Sequence, residues 1–222
     1  MSDDLQLWDA WATGDTQAGE AFAERHFVAV FRFFESKVAD VAEELTQRTF
    51  LSFLEGRARY QSRGSVRAFL FGVARHQLLR HYEGRDERGR KRVDLSQLSA
   101  HDLDPSASQV VAARERQDAV LLALRRLPVD AQITLELHYW NELSVAEIAA
   151  ALDEPPGTIK SRLSRARARL RVELGVALEG APVGVVLTEA DVAARTRRLG
   201  DTLAELNQPA ARGSRPQRAG RS

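Results

Sequence analysis

The sequence predicts an all-α protein with two small helical domains joined by a flexible linker, a helix-turn-helix in the second domain, and a C-terminal extension. Apolar residues recur at helical intervals, and no segment shows the alternation typical of a β-strand. All nine phenylalanines lie between Phe22 and Phe71, whereas later helices use Leu, Ile, Val and Ala. Two separate cores are the simplest interpretation of this segregation.

The first domain is expected over residues 5–83. Gly64 and Ser65 are typical of a break between two helices. Apolar residues follow helical spacing on both sides of this break, namely Val38, Val41, Ala42, Leu45 and Phe53 before it and Phe69, Leu70, Val73 and Ala74 after it.

A linker is expected over residues 84–113, where the helical spacing stops and a charged run is followed by Asp102, Asp104 and Pro105. Its roughly 30 residues would span about 90 Å if extended at about 3.3 Å each, so the two domains could reach separate parts of one partner. A loop folded back on the domains is an equally good interpretation for the free protein.

The second domain, residues 114–173, carries the most informative pattern. Ser144 is a helix N-cap, Glu147 completes a capping box, and Leu143 with Ile148 forms a hydrophobic staple. A pair of prolines, 155–156, then ends this helix and starts another. The spacing indicates a helix-turn-helix.

The second helix of this motif is amphipathic and strongly basic. Its apolar stripe predicts a buried face, composed of Ile159, Leu163, Ala166 and Leu170. An α-helix fits the major groove, and the best-placed base readers are Lys160, Ser161, Ser164 and Arg165. Arg162, Arg167 and Arg169 are expected at phosphates. The alternative is a solvated basic helix on an ordinary bundle.

The extension divides into two parts. Residues 174–206 include an amphipathic helix after Thr188, which would pack on this chain or on a partner. Residues 207–222 are rich in Arg, Pro, Gly and Ser and are expected to be disordered.

Charge is segregated along the chain. The formal net charge of +1 conceals six cations within residues 155–172 and four arginines in 207–222, so the remainder is net acidic. No apolar run is long enough to span a bilayer, the start lacks a signal-peptide pattern, and there is no cysteine. We expect a cytoplasmic protein without membrane insertion and without a cofactor.

These segments resemble the sigma-70 family of bacterial sigma factors, in the extracytoplasmic-function (ECF) group, which keeps sigma domains two and four. The match covers about residues 5–173, and residues 127–128, 143–149 and 157–167 follow the domain-four pattern closely. The resemblance implies a winged-helix-like domain four that recognises the −35 promoter element as duplex. The residues expected to bind it are Thr158, Lys160, Ser161, Arg162, Ser164, Arg165 and Arg169.

Residues 40–51 look like the family's helix that binds core RNA polymerase. A solvated acidic face would be the default interpretation of this helix in isolation. The chain has Arg48 where the family usually has an acid. The candidate polymerase contacts recur at helical intervals, as Asp40, Glu44, Gln47, Arg48 and Leu51.

Residues 63–82 are similar to the segment that holds the −10 element as single-stranded, partly flipped-out bases. His76 and Arg80 stand where the family commonly has Asn and Asp, which implies a different −10 preference. Without the resemblance, His76 and His81 would be surface histidines. The candidate contacts are Arg63, Arg67, Arg75, His76, Arg80 and Tyr82, as phosphate-neutralising cations or base-contacting rings.

The resulting hypothesis is a non-enzymatic ECF sigma factor whose partners are core RNA polymerase and promoter DNA. An anti-sigma factor, or self-inhibition by the extension, is compatible with the chain. The main alternative is a two-domain regulator that binds duplex DNA without polymerase. A nucleic-acid enzyme using Glu43 and Glu44, or His76 and His81, has no supporting ligand or nucleophile spacing. A protein-only adaptor conflicts with the six charges of the basic helix.

Overall fold

The computed structural model describes residues 3–60, 65–85, 94–103 and 119–177, and the statements below concern these residues. Their regular elements are helical, and the β-pairing among them is one isolated bridge between Ser99 and Pro128. The all-α prediction is confirmed, and no β-hairpin wing accompanies the helix-turn-helix within the described ranges.

The first domain contains helices α1 (Asp3–Ala12), α2 (Thr16–Val38), α3 (Ala42–Glu55) and α4 (Val66–Arg85), with 3₁₀ turns at Ala39–Val41 and Gly56–Arg59. Helix α2 is capped by Asp15, and helix α4 is capped by Ser65, whose hydroxyl accepts a hydrogen bond from the Ala68 N–H at 3.2 Å. The predicted helix start after the Gly64-Ser65 pair is confirmed.

Stacked rings fill the core of the first domain. The ring centroids of Trp8 and Phe53 lie 4.0 Å apart, and those of Phe22 and Phe53 lie 5.0 Å apart. All three side chains are fully buried. Aromatic contacts between α1, α2 and α3 therefore explain why the phenylalanines are concentrated in the first third of the chain.

Residues 94–103 of the predicted linker fold back on the second domain. They include the short helix α5 (Ala100–Leu103), and Leu95 is buried. The N–H groups of Val129 and Asp130 donate to the carbonyls of Leu98 and Leu95, at 3.0 and 3.1 Å. For this stretch the folded-back interpretation is correct, while the rest of the predicted linker lies outside the described residues.

The second domain contains α6 (Ala119–Arg125), α7 (Val129–Tyr139), α8 (Val145–Leu152) and α9 (Pro156–Ala177). The predicted capping box is present at the start of α8, because the Ser144 hydroxyl accepts from the Glu147 N–H at 3.3 Å and the Glu147 carboxylate accepts from the Ser144 N–H at 2.9 Å. The predicted break at the two prolines is also confirmed, since α9 begins at the second of them.

The two domains share one continuous core, so the prediction of two separate cores is wrong. Helix α4 packs against α8, and α2 packs against α6. Local spacing identifies which residues of a helix are apolar, but it does not identify the helix that covers them. The apolar faces therefore pack across the domain boundary as well as within each domain.

The C-terminal extension falls almost entirely outside the described residues. Helix α9 continues to Ala177, beyond the expected end of the second domain at residue 173. The predicted amphipathic helix within 174–206 and the basic tail of 207–222 are not described. Among the described helices, none combines the length and the apolar character needed to cross a bilayer.

Candidate nucleic-acid and protein interfaces

Helix α9 presents a polar, basic surface because its apolar stripe is turned into the core. Ile159, Leu163, Ala166 and Leu170 are all at most 3% exposed, as predicted. Thr158 is half-buried near the start of the helix. Five of the predicted DNA contacts lie on the exposed side, namely Lys160, Ser161, Ser164, Arg165 and Arg169.

The arginines of α9 are held in different ways. A guanidinium nitrogen of Arg162 donates to both carboxylate oxygens of Glu154, at 2.7 and 2.9 Å, and the two side chains are only 16% and 20% exposed. Arg167 lies over the Tyr139 ring, 5.7 Å from its centroid. Arg165 is exposed and donates from Nε to the Ser161 carbonyl at 3.3 Å. The exposed cations suited to a polyanion are therefore those of positions 160, 165 and 169.

The five predicted polymerase contacts all lie on one exposed side of α3 and the 3₁₀ turn before it. Leu51 is 64% exposed, which is unusual for a leucine in a helix whose other face contributes Leu45 and Phe53 to the core. Arg48 forms an ion pair with Glu44 one turn earlier, at 2.5 Å. Asp40 and Gln47 are also exposed. An exposed apolar side chain among charges suits a protein contact.

The predicted −10 contacts differ in how far their side chains are exposed. His76 and Arg80 are exposed along a cavity of about 480 Å³ between α3, α4 and α8. Tyr82 is 3% exposed and packs in the core, so in this conformation its ring cannot stack on a base. Arg63 lies outside the described residues.

Arg67 and Arg75 are only partly exposed, and carboxylates lie near both side chains. A guanidinium nitrogen of Arg75 lies 3.3 Å from Asp130 Oδ1. Burial lowers the pKa of Arg67, and the carboxylates of Glu142, Asp4 and Glu147 partly offset that effect. One of the predicted phosphate contacts, Arg75, is thus ion-paired with an acidic side chain of the second domain.

A buried polar network between the domains was not predicted from the sequence. It includes Lys37 at the end of α2 and Glu136 in α7, which are 0% and 1% exposed. A signal for it exists, because Val30, Phe33 and Lys37 share one apolar stripe, as do Val129, Ile133 and Glu136. A charged residue on an apolar stripe indicates a buried partner of opposite charge.

No cluster of three or more potential metal ligands occurs in the part of the chain that the structure describes.

Comparison with known proteins identifies the family of this chain. Models of the sigma-70 family match the two domains, Sigma-70 region 2 over residues 22–88 and Sigma-70, region 4 over residues 117–170. The ECF RNA polymerase sigma factor SigC of Mycobacterium tuberculosis is 34% identical over 160 residues, which cover 70% of this chain and 83% of that protein. The ECF RNA polymerase sigma factor RpoE of Cereibacter sphaeroides is 31% identical over 167 residues, covering 72% and 90%.

Among solved structures, the sigma factor RpoE in complex with the anti-sigma factor NepR from Bartonella quintana matches with a TM-score of 0.50 and 24% identity. The match covers 71% of this chain and 98% of that one, and it supports the fold. With both family regions present on the two helical domains, the chain belongs to the sigma-70 family of RNA polymerase sigma factors, in the extracytoplasmic-function group.

Proposed function

We propose that this sigma factor divides promoter recognition between its two domains, with α9 at the −35 duplex, α4 at the single-stranded −10 element and α3 at core RNA polymerase. The observation that carries the proposal is the separation of faces on α9. Its leucine and isoleucine stripe is buried, while Lys160, Arg165 and Arg169 are exposed. A basic face of this kind matches a duplex groove and the phosphates beside it.

At the −35 element, the start of α9 would enter the major groove. Lys160 and Arg165 have side chains that donate to guanine acceptors, and Ser161 and Ser164 suit either donors or acceptors. Thr158 lies near the N-terminus of the helix, where phosphate oxygens are favoured. Arg162 is held by Glu154, so its proposed phosphate contact requires that ion pair to open or be shared.

At the −10 element, His76 and Arg80 are accessible in the present conformation. Arg75 becomes fully available only if the second domain moves away from α4, because it is ion-paired with Asp130. Arg67 lies near carboxylates of both domains. Tyr82 additionally requires a local rearrangement to leave the core. Strand capture is therefore proposed to accompany separation of the domains.

The polymerase contact is proposed at the exposed side of α3, with Leu51 as its apolar centre and Asp40, Glu44, Gln47 and Arg48 around it. An apolar anchor surrounded by polar groups is the arrangement expected of a protein interface. The protein would act in the cytoplasm with RNA polymerase and would perform no catalysis itself. An anti-sigma protein or the C-terminal extension is the proposed regulator.

In vitro transcription with purified core polymerase and genomic fragments tests this function directly. The full chain, and a version truncated near Gly175 to remove inhibition by the extension, are expected to start transcripts at defined positions. Core polymerase alone is the control. Absence of any specific start with both versions would contradict the proposal.

A mobility-shift assay tests the rival regulator. If the protein acts only with polymerase, the free chain should bind duplex promoter fragments weakly and with little sequence preference. Tight, specific binding of duplex DNA by the free chain would favour the regulator instead.

A further inference from the structure

A cavity of about 480 Å³ lies between the end of α3, the middle of α4 and the end of α8. Its volume is within the range of about 300–1,000 Å³ that is usual for sites that bind small molecules. Much of its lining consists of residues with no side chain or only a methyl group, which leaves the space between the helices open. These small residues are Gly56, Gly72, Ala150 and Ala151.

One stripe of α4 forms a wall of this cavity and changes in character along the helix. Phe69 and Val73 make its first part apolar, and both side chains are half-buried. His76 and Arg80 follow along the same stripe and are exposed. Residues three and four apart lie on the same face of a helix, so these side chains form a continuous surface. A ligand along this wall would contact apolar groups at one end and a guanidinium at the other.

The end of α3 adds polar groups to the lining. Gln77 of α4, which is 8% exposed, donates from Nε2 to Ser52 Oγ of α3 at 2.8 Å, and both residues line the cavity. Glu55, the last residue of α3, lines it as well and is exposed. A neighbouring cavity of about 370 Å³ shares Glu55 and Arg80. The two charged side chains therefore border one groove between α3 and α4.

Glu55 and Arg80 carry opposite charges that do not neutralise each other. Neither side chain forms an ion pair with another residue in the ranges that the structure describes. Arg48, which borders the neighbouring cavity, is by contrast paired with Glu44. A ligand with a single charge would attract one of the two unneutralised groups and be repelled by the other. A ligand that carries both charges is attracted by both.

We propose that this cavity binds a free amino acid with an apolar side chain. Its carboxylate pairs with Arg80, whose planar guanidinium can donate two parallel hydrogen bonds to it. Its ammonium donates to Glu55, and its side chain lies along the apolar part of the α4 wall. The site itself does not depend on a role at promoters. One consequence rests on the proposed function, because His76 and Arg80 are also accessible −10 contacts. A bound amino acid therefore competes with the promoter strand.

Calorimetric titration of the full chain with L-phenylalanine, in the absence of DNA and polymerase, tests the site. We expect binding at one site per chain with a Kd of about 1 mM or below. Two analogues of the same shape each lack one charge, hydrocinnamate the ammonium and phenethylamine the carboxylate. Each should bind about tenfold or more weakly, because a hydrogen bond to a charged group is lost. Absence of saturable binding with L-phenylalanine, L-leucine and L-methionine would overturn the proposal.

Substitution of the two charged residues assigns each ligand charge to its partner. Arg80→Gln should weaken L-phenylalanine and hydrocinnamate about tenfold and leave phenethylamine unaffected, because phenethylamine has no carboxylate. Glu55→Gln should weaken L-phenylalanine and phenethylamine and leave hydrocinnamate unaffected. Both residues are exposed, so neither substitution leaves a buried charge without a partner. Equal losses for all three compounds in either variant would overturn the proposal.

A larger side chain in the cavity provides a test that does not depend on charge. Ala150→Phe places a ring at the α8 side of the cavity and should abolish binding of L-phenylalanine. Ala146→Phe is the matched control, since this alanine is also exposed, lies one turn earlier on α8 and does not line the cavity. Circular dichroism confirms that both variants are helical. Binding retained in Ala150→Phe would place the ligand elsewhere and overturn the proposal.

In vitro transcription with core polymerase measures the competition with the promoter strand. A saturating concentration of L-phenylalanine should lower the yield of specific transcripts with the parent chain, and the same concentration should change the yield less with Glu55→Gln. An unchanged yield with the parent would contradict the overlap with the −10 surface. If no specific transcript appears even without the amino acid, the proposed function fails, whereas the calorimetric titration still decides whether the site exists.

Discussion

Gly72 in α4 lies so close to Ala151 in α8 that a Cβ added at Gly72 would stand 2.9 Å from the Ala151 carbonyl oxygen. The conformation of this glycine is helical, so the reason for its lack of a side chain is the close approach of the two helices. Glycine in a helix interior costs about 0.5–1 kcal/mol relative to alanine. The contact between α4 and α8 requires the space that a side chain at position 72 would fill.

Gly72→Ala is therefore expected to destabilise the folded chain. The new methyl group meets backbone rather than a movable side chain, and overpacking of this kind costs about 1–3 kcal/mol, only part of which the better helix former offsets. Urea unfolding measures the loss. Gly84→Ala in the same helix is the matched control, because a Cβ there meets no atom within 4 Å. Equal stability of the two variants would contradict the close contact.

The start of α8 shows what the sequence encodes locally. Ser144 and Glu147 are three residues apart, and their mutual hydrogen bonds depend only on that spacing. The helices, the break before α9 and its buried stripe were predictable for the same reason. The burial of Tyr82 was predictable in the same way, since Phe71, Leu78 and Tyr82 share one stripe of α4.

The domain contact was not predictable in the same way. Lys37 and Glu136 are far apart in the chain, and helical spacing says nothing about which distant residue faces a given position. The pairing of Arg75 with Asp130 has the same origin. Such contacts depend on the relative placement of helices, which local patterns leave open.

Loss of the capping box should weaken the helix-turn-helix. Ser144→Ala removes the hydroxyl that accepts from the Glu147 N–H, and N-cap substitutions of this kind cost about 0.5–2 kcal/mol. Ser144→Thr keeps the hydroxyl and is the control. Denaturant unfolding should separate the two variants, and a threonine variant as destabilised as the alanine variant would argue against the cap.

Acid should destabilise the first domain through His26. Its Nε2 lies 3.1 Å from Asp4, yet burial lowers its pKa below the ordinary 6.5, with Asp4 opposing the shift and Arg67 and Arg25 adding to it. The unfolded chain then takes up a proton at a higher pH than the folded chain. Stability is accordingly lost as pH falls from the ordinary value toward the folded pKa.

Urea midpoints between about pH 8 and pH 5.5 measure this effect, because histidine side chains titrate in roughly this range. His26→Gln should flatten the dependence on pH, whatever it does to absolute stability. His76→Gln, at an exposed histidine, should leave the dependence unchanged. The same slope in all three proteins would rule out His26 as its source.

Leu51→Ala should weaken binding to core polymerase without loss of stability. The side chain is 64% exposed, so its removal leaves no cavity, whereas truncation of an apolar interface anchor costs about 1–3 kcal/mol of binding. Val172→Ala, which removes a 65% exposed side chain from α9, is the matched control. Equal polymerase affinity of the two variants would remove Leu51 from the interface.

Arg165 and Arg162 should separate DNA recognition from stability, although they lie on the same helix. Arg165 is exposed, so Arg165→Ala is expected to cost about 1–3 kcal/mol of binding free energy for the cognate promoter. The measurement is the affinity of the complex with polymerase for duplex promoter fragments. The affinity for core polymerase and the urea midpoint should stay unchanged.

Arg162→Ala should instead lower the urea midpoint, corresponding to a loss of about 1 kcal/mol in the free energy of unfolding. The reason is that the partly buried Glu154 carboxylate loses two hydrogen bonds. A double-mutant cycle with Glu154→Gln isolates the free energy of that ion pair. The double variant should lose less stability than the two single variants lose together. If Arg162→Ala reduced only promoter binding, its ion pair would be incidental. If Arg165→Ala reduced polymerase affinity equally, α9 would not be a dedicated DNA reader.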